Sequence, residues 1–495
     1  MLAAEYILVL LIVLPLTAAV VAFLWPRYAA PVALVSAAAM LLLSANLALL
    51  ITATEPIRYN LGGWQAPLGI ALYADGLAVL MVSMTAIVGI AVAAYARAYF
   101  QPGDSATGSR VALFWPLWLL LTAGLNALFL SIDAFNIYVT LELVGLSAVA
   151  LVAIAQKPEA LRAAMRYLLV SLLGSLAYML GVALLYAQYA TLDLEMLHLS
   201  MNATPATWTA LVLMSSGLML KAALFPLHFW LPPAHSSAPA PVSALLSALV
   251  VKAAFYLVLR LWLHVFEEIV TVNAAQLMGM LGAGAILWGS LQALRAERFK
   301  LLVAYSTVAQ IGYLFLAIPL AQTEGASLAA ASAAVYLALS HAFAKAAMFT
   351  TAGTVLHVAG HDRIRDMAGI SQSYPLTAFT MGLAGMALIG LPPSGGFMGK
   401  WLMLNAAFVS GQWWWVVVLL VGSLLAAAYV FRVISHAFTH LEQIPYQIKL
   451  DWKLEWPGLL LALLAALLSI LALPLFDALN ISTVLSGTPL TESKP

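Results

Sequence analysis

The chain has 495 residues, is 64% hydrophobic and only 8% charged, and carries a formal net charge of +1. Its mean hydropathy of +1.00 excludes a soluble globular protein, and no basic patch is large enough to mark a nucleic-acid partner. Cysteine is absent, which excludes disulfides, thiolate-held iron–sulfur clusters and thiolate zinc sites.

Glu5 and no basic run precede the first apolar stretch, so the N-terminus reads as a retained first helix and not as a cleaved signal peptide. At roughly 20 apolar residues per crossing, the chain divides into about fourteen spans: 6–25, 31–52, 77–99, 111–131, 134–155, 163–189, 207–230, 240–263, 272–292, 299–320, 327–357, 374–408, 412–438 and 457–480. The predicted fold is therefore all-α and polytopic.

The basic residues test that count. With the N-terminus outside, the inner loops receive Arg27, Arg97, Arg110, Lys157, Arg162, Arg166, Arg295, Arg298, Lys300, Arg363, Arg365, Arg432, Lys449 and Lys453, against Arg58, Arg260 and Lys494 on the outer face. The outer loops carry acids instead, among them Asp193, Glu195, Glu267, Glu268 and Glu324. The positive-inside rule thus favours an even number of spans with both termini on the outer side of a cell membrane.

Two spans contain proline where a helix should run on. One reads from Lys221 through Pro226, His228, Pro232, Pro233 and His235 to Pro239 and Pro241; the other runs Leu391-Pro392-Pro393-Ser394-Gly395-Gly396 and on to Gly399-Lys400-Trp401. Proline removes a backbone donor and clashes with the preceding turn, so spans 7 and 12 should be discontinuous. Unwound backbone at membrane depth survives only where protein or a water-filled cavity covers it. The lysine precedes the prolines in span 7 and follows them in span 12, as an inverted repeat of spans 4–8 on spans 9–13 would produce. The chain would then divide into spans 1–3 (1–110), a first repeat (111–265), a second repeat (266–440), and span 14 with a short tail (441–495). The alternative is a pair of kinks that merely shape the bundle.

Lys221, Lys252, Lys345 and Lys400 all lie inside apolar spans. An ionisable side chain at mid-bilayer costs about 2.5–3.5 kcal/mol on insertion scales, so four of them point to protonatable groups required in the membrane. Lysine gives up its proton more readily when desolvated, whereas arginine stays charged. Glu142 sits mid-span in span 5 with no basic neighbour on its own helix, so its partner must come from another helix. Beside Lys221 it can stay ionised and form a switchable pair; a static ion pair is the bland alternative. His341 and Lys345 are four residues apart on one helical face, and histidine suits a relay, although a buried histidine is more often structural. Lys345 alternatively only holds a partner carboxylate.

His228 and His235 flank the span 7 break and are candidates for proton uptake or release; a metal would need further ligands, and none cluster there. Asp75 and Asp133 lie near helix ends where capping is expected, and Asp133 also has access to the path. Gly399-Lys400-Trp401 lacks the Ser/Thr of a phosphate-binding loop. Gly282 and Gly284 are small residues that let helices pack closely, and Trp413-Trp414-Trp415 reads as an interfacial anchor. No nucleotide, haem or flavin signature is present, so no cofactor is expected.

The stretch Lys221 to Pro241 with Lys252, then His341-Ala-Phe-Ala-Lys345, then Leu391 to Trp401, resembles the antiporter-like subunits shared by Mrp-type cation/proton antiporters, respiratory complex I and membrane-bound hydrogenases. The resemblance runs from span 3 to span 13. It implies fourteen core helices in two inverted five-helix repeats, and a hydrated axis along which protons move. In it Glu142 pairs with Lys221, Lys252 bridges, His341 relays between the halves and Lys400 is terminal. Within the family, the length and short polar tail resemble the D subunit of Mrp antiporters. The expected role is proton transfer coupled to Na⁺ or K⁺ among other membrane subunits, with no catalysis by this chain. The alternatives are the non-redox proton arm of an NADH- or hydrogen-oxidising complex and a proton channel for inorganic-carbon uptake.

Overall fold

The computed structural model describes residues 4–53, 56–100, 111–323, 325–442, 446 and 448–471. Arg110, Glu324, Lys494, the end of span 14 and the tail lie outside these residues.

Every predicted span contains a helix. They are α1 (Ala4–Leu24), α2 (Ala29–Ala53), α3 (Gly76–Tyr99), α4 (Phe114–Leu130), α5 (Ala134–Ala153), α6 (Pro158–Tyr189), α7a (Pro205–Lys221) with α7b (Leu231–Ser237), and α8 (Ala240–Val265). They continue as α9 (Val272–Arg295), α10 (Phe299–Ala321), α11 (Ser327–Ala359), α12a (Pro375–Ile389) with α12b (Gly395–Val409), α13 (Trp413–Ala437) and α14 (Trp456–Leu467). Eleven described helices are long and apolar enough to cross a membrane; α4 and α12a are apolar but shorter.

The helix starts follow local chemistry. Asp75 accepts from the Ala78 backbone N–H (2.8 Å) at the head of α3, and Asp133 from Asn136 (2.7 Å) at the head of α5, each satisfying an orphan donor. Thr204 and Thr271 cap α7a and α9 in the same way, and Ser394 caps α12b. One element departs from the all-α expectation. Ile57–Asn60 and Ala71–Ala74 form a two-stranded antiparallel hairpin, β1 and β2, with Ile57 opposite Ala74. It sits in the α2–α3 connection, where the run is too short for a helix and Gly62 and Gly63 supply the positive φ of the turn.

Burial sorts the helices by depth. The central window of α8 is wholly buried, and those of α10 and α11 nearly so, while α1, α2 and α13 present mostly exposed apolar faces. Gly282 of α9 meets Gly312 of α10 so closely that a Cβ on either would lie within 2.7 Å of the other's carbonyl oxygen, the tight approach expected of small residues. Both discontinuous spans are broken as expected, α7 over residues 222–230 and α12 over 390–394. The helices that carry Lys252 and Lys345 are thus among the innermost.

Candidate proton path

Lys221 is the last residue of α7a, where the chain unwinds ahead of Pro226. The break leaves helix-end carbonyls to be satisfied: that of Leu220 accepts from Trp230 Nε1 (2.9 Å), whose ring stacks on Tyr167 at 4.2 Å. Lys221 Nζ donates to Ser171 Oγ of α6 (3.0 Å). The contact pair with Glu142 is open: no Glu142 oxygen lies within 4 Å of it, although the carboxylate still acts on Lys221 electrostatically. The reason is register along α5. Lys221 reaches that helix at Gly145, where a Cβ would lie 3.7 Å from Nζ, about one turn beyond Glu142. Glu142 Oε1 is buried without a hydrogen-bond partner. A small cavity lined by Leu141, Gly145, Tyr167, Ser171 and Lys221 has room for a water molecule.

Lys252 and Lys345 lie deeper and are completely buried. The residues before Lys252, Leu246–Val250, form a π turn; such turns shift the backbone ladder, and Lys252 Nζ donates to the carbonyl of Ser247. Lys345 of α11 donates to the Val303 carbonyl (3.1 Å) and to Ser306 Oγ, both on α10. Between the two lysines, Ser247 Oγ and Thr307 Oγ1 are 2.9 Å apart, and Thr307 bonds back to Val303 O. His341 is buried with both ring nitrogens unpartnered and lies within electrostatic reach of Lys252 and Lys345. His235 is likewise buried and unpartnered, within reach of Lys252, Lys300 and Lys345.

Lys400 of α12b reaches back across the second break. Its Nζ donates to the Ile389 carbonyl (2.8 Å) and to Ser423 Oγ of α13 (3.1 Å), and lies 4.4 Å from the ring centre of Tyr313. Ile389 is the last residue of α12a, so the ammonium occupies the negative end of that helix.

Of the remaining expected residues, His228 stacks on Phe225 (5.6 Å), which leans on Trp288 of α9; no hydrogen bond joins it to the lysines. Asp133 is a helix cap at the outer-assigned end, bridged through backbone to Asp193, which holds Arg58 at 2.5 Å. Burial pushes its carboxyl upward, against the backbone N–H groups of Asn136 and Phe135, and the Asp193 carboxylate adds to the rise.

Two assignments made from the sequence are corrected. Lys300 is not a loop residue: it is buried in the first turn of α10 and donates to the Ala238 carbonyl. Arg260 does not lie on the outer surface: it is buried in α8 and bonded to Asp75 (2.6 Å) and to Tyr256 Oη (2.5 Å). Asp75 therefore does more than cap. The hydroxyls of Ser171, Ser247, Ser306, Thr307 and Ser423 carry no motif, since their roles depend on cross-helix register. The only signal for Arg260 was its place near the end of span 8, and it pointed to the wrong depth.

Residues 131–426 match the family model described as NADH:quinone oxidoreductase/Mrp antiporter, TM. The chain is 37% identical over 439 residues to the N subunit of NADH-quinone oxidoreductase from Desulforudis audaxviator, covering 87% of this chain and 86% of that one. It is 30% identical over 384 residues to the D subunit of the Na⁺/H⁺ antiporter of Bacillus subtilis, covering 77% and 75%. A chain in the structure of the Mrp complex from Dietzia sp. superposes with a TM-score of 0.89 at 23% identity, covering 99% of both chains, a likeness of fold.

Proposed function

The chain belongs to the NADH:quinone oxidoreductase/Mrp antiporter transmembrane family, and from that premise we propose that it is the proton-translocating membrane subunit of a multi-subunit antiporter exchanging Na⁺ or K⁺ for protons. The observation that carries this reading is the state of the buried cations. Among the described residues, buried Arg260 is held by a carboxylate, whereas Lys221, Lys252, Lys345 and Lys400 have only hydroxyls, carbonyls and a ring. A buried charge without a counter-charge is costly. A group that sheds its proton escapes that cost; lysine does so and arginine does not. The row is therefore built for cations that come and go.

In this reading Glu142 and Lys221 are the switch. With the pair closed, Lys221 keeps its proton; with it open, as here, Lys221 passes the proton towards Lys252. The relay then runs through His341 and Lys345 to Lys400. The drive is ample, since one charge crossing 100 mV is worth about 2.3 kcal/mol. The inner and outer faces follow the positive-inside assignment, with both termini outside. Support for it comes from Arg58 paired with Asp193 at one end, and from Lys157, Arg298 and Arg363 close together at the other. The two inverted repeats, residues 111–265 and 266–440, belong to the same proposal.

The test is the assembled complex in everted vesicles, with a pH-gradient dye read on addition of Na⁺ or K⁺. Glu142→Gln is expected to abolish the cation-dependent signal while the subunits still co-purify. Full transport by a correctly assembled Glu142→Gln complex overturns the mechanism. A second reading, the proton arm of a redox complex, is favoured by the higher identity to the oxidoreductase relative than to the antiporter relative, 37% against 30%. Flavin- or iron–sulfur-bearing partners in a mild-detergent purification would establish it; small membrane subunits alone would support the antiporter.

A further inference from the structure

A cavity opens on the face that carries Lys157 and Arg298. It holds about 820 Å³, and its walls include Tyr99, Lys157, Glu159, Ser236, Ser237 and Lys300. Such polar walls hold water. Arg298 is tied down by Asp362 Oδ1 (2.8 Å), and the backbone N–H of Lys300 is fixed by the other oxygen of that carboxylate (3.2 Å). The Lys300 ammonium itself has one partner, the Ala238 carbonyl, at the residue that ends α7b. Lys300 thus stands between the cavity and the broken helix.

Beyond that carbonyl lies His235, in the same short helix. It is fully buried, wedged edge-on between Trp230 (6.4 Å) and Phe349 (6.0 Å), with neither ring nitrogen hydrogen-bonded. Three ammonium groups lie within electrostatic reach of it: Lys300 on the cavity side, Lys252 and Lys345 on the central side. A histidine with two free nitrogens takes a proton at one and gives it up at the other. Ser243 Oγ pins the backbone here, donating to the His235 carbonyl (2.7 Å), so the ring is presented from a fixed position.

We propose that this cavity is an aqueous vestibule, that Lys300 is the group that takes up protons from it, and that His235 carries them to the central lysines. The inference rests on the proton-path reading above and adds its uptake site. Lys300 would leave the Ala238 carbonyl for the vestibule, collect a proton from water, and return to deliver it inward. No net bond is made or broken beyond the transferred N–H.

The chain has no cysteine, so single thiols report on the vestibule directly. In the assembled complex, Lys300→Met is expected to slow proton flux by about tenfold or more, the scale of a lost proton-transfer group. Lys300→Arg should fail to restore it, because a guanidinium keeps its proton. Ser236→Cys, active before labelling, should react with a membrane-impermeant trimethylammonium thiol reagent applied only to the Lys157 face, and labelling should block flux. Wild-type flux in Lys300→Met, or rescue by Lys300→Arg, overturns the role of Lys300. Labelling of Ser236→Cys only from the opposite face overturns the vestibule. If Glu142→Gln is inactive while Lys300→Met is not, this inference fails and the proton-path reading stands. If Glu142→Gln is fully active, the failure lies in that reading.

Discussion

The two broken helices hold their lysines in opposite ways. At the first break Lys221 ends a half-helix, turns away from its own carbonyls and takes a single neutral partner on α6, with a carboxylate one turn out of contact on α5. At the second, Lys400 begins on the far half-helix and returns to the carbonyl end of the near one, where Ile389, Ser423 and the face of Tyr313 surround it. Both use the same device, unwound backbone beside a lysine. Only the first leaves the ammonium a choice of partners. In the proposed mechanism this difference fits switching at Lys221 and a stationary cation, loaded and unloaded in place, at Lys400.

The largest expected effect comes from replacing the two lysines by arginine. Lys221→Arg should stop vesicle proton flux as completely as Lys221→Ala, because the switch must release a proton. Lys400→Arg should stop it as well, because a guanidinium, though it still meets Ile389 O, Ser423 and the Tyr313 ring, cannot be unloaded in place. Flux kept by Lys400→Arg would mean that this lysine is a fixed charge and not a carrier.

Next in size is an effect on stability. Arg260→Met strands Asp75 in the interior, and breaking a buried pair costs about 3–5 kcal/mol; the complex should melt earlier and assemble poorly. Lys252→Met removes a cation that has no carboxylate, so melting should be unchanged or raised while flux is lost. A lower melting point for Lys252→Met would mean that this lysine is structural.

Glycine substitutions test the two breaks separately. Gly390 has φ of +87°, and a Cβ there would lie 2.8 Å from Lys400 Cδ. Gly390→Ala should therefore cost about 1–3 kcal/mol in assembly and displace Lys400. At Gly145 the added Cβ crowds Ser171 Oγ, at 2.5 Å, and only touches Lys221 Nζ, at 3.7 Å; the hydroxyl rotates away and releases Lys221. Gly145→Ala is expected to change flux more than thermal stability, the reverse of Gly390→Ala. The smallest effects belong to the hydroxyls. Ser171→Ala removes the one hydrogen bond of Lys221, worth about 1 kcal/mol, and should shift flux by roughly fivefold. Ser423→Ala should shift it less, because the Ile389 carbonyl remains.

Much of this was legible in the chain. Hydropathy and proline positions located the long apolar helices and both breaks, because a bilayer demands long apolar helices and proline interrupts them wherever it occurs. The caps at Asp75 and Asp133 were equally visible, since capping is a contact across three residues. Less visible was depth. Lys300 and Arg260 sit at span ends, where the pattern alone reads as surface, and only packing against α7b and α3 buries them. Partner choice was not legible at all. Whether Lys221 meets Glu142 or Ser171 turns on one helical turn of register between α5, α6 and α7a, and the hydroxyl pair of Ser247 and Thr307 spans 60 residues of chain. Local chemistry determined which groups enter the membrane, because the cost of burying them is paid residue by residue. Tertiary structure decided which of them touch, because contact between helices depends on rotation and rise that no single helix encodes.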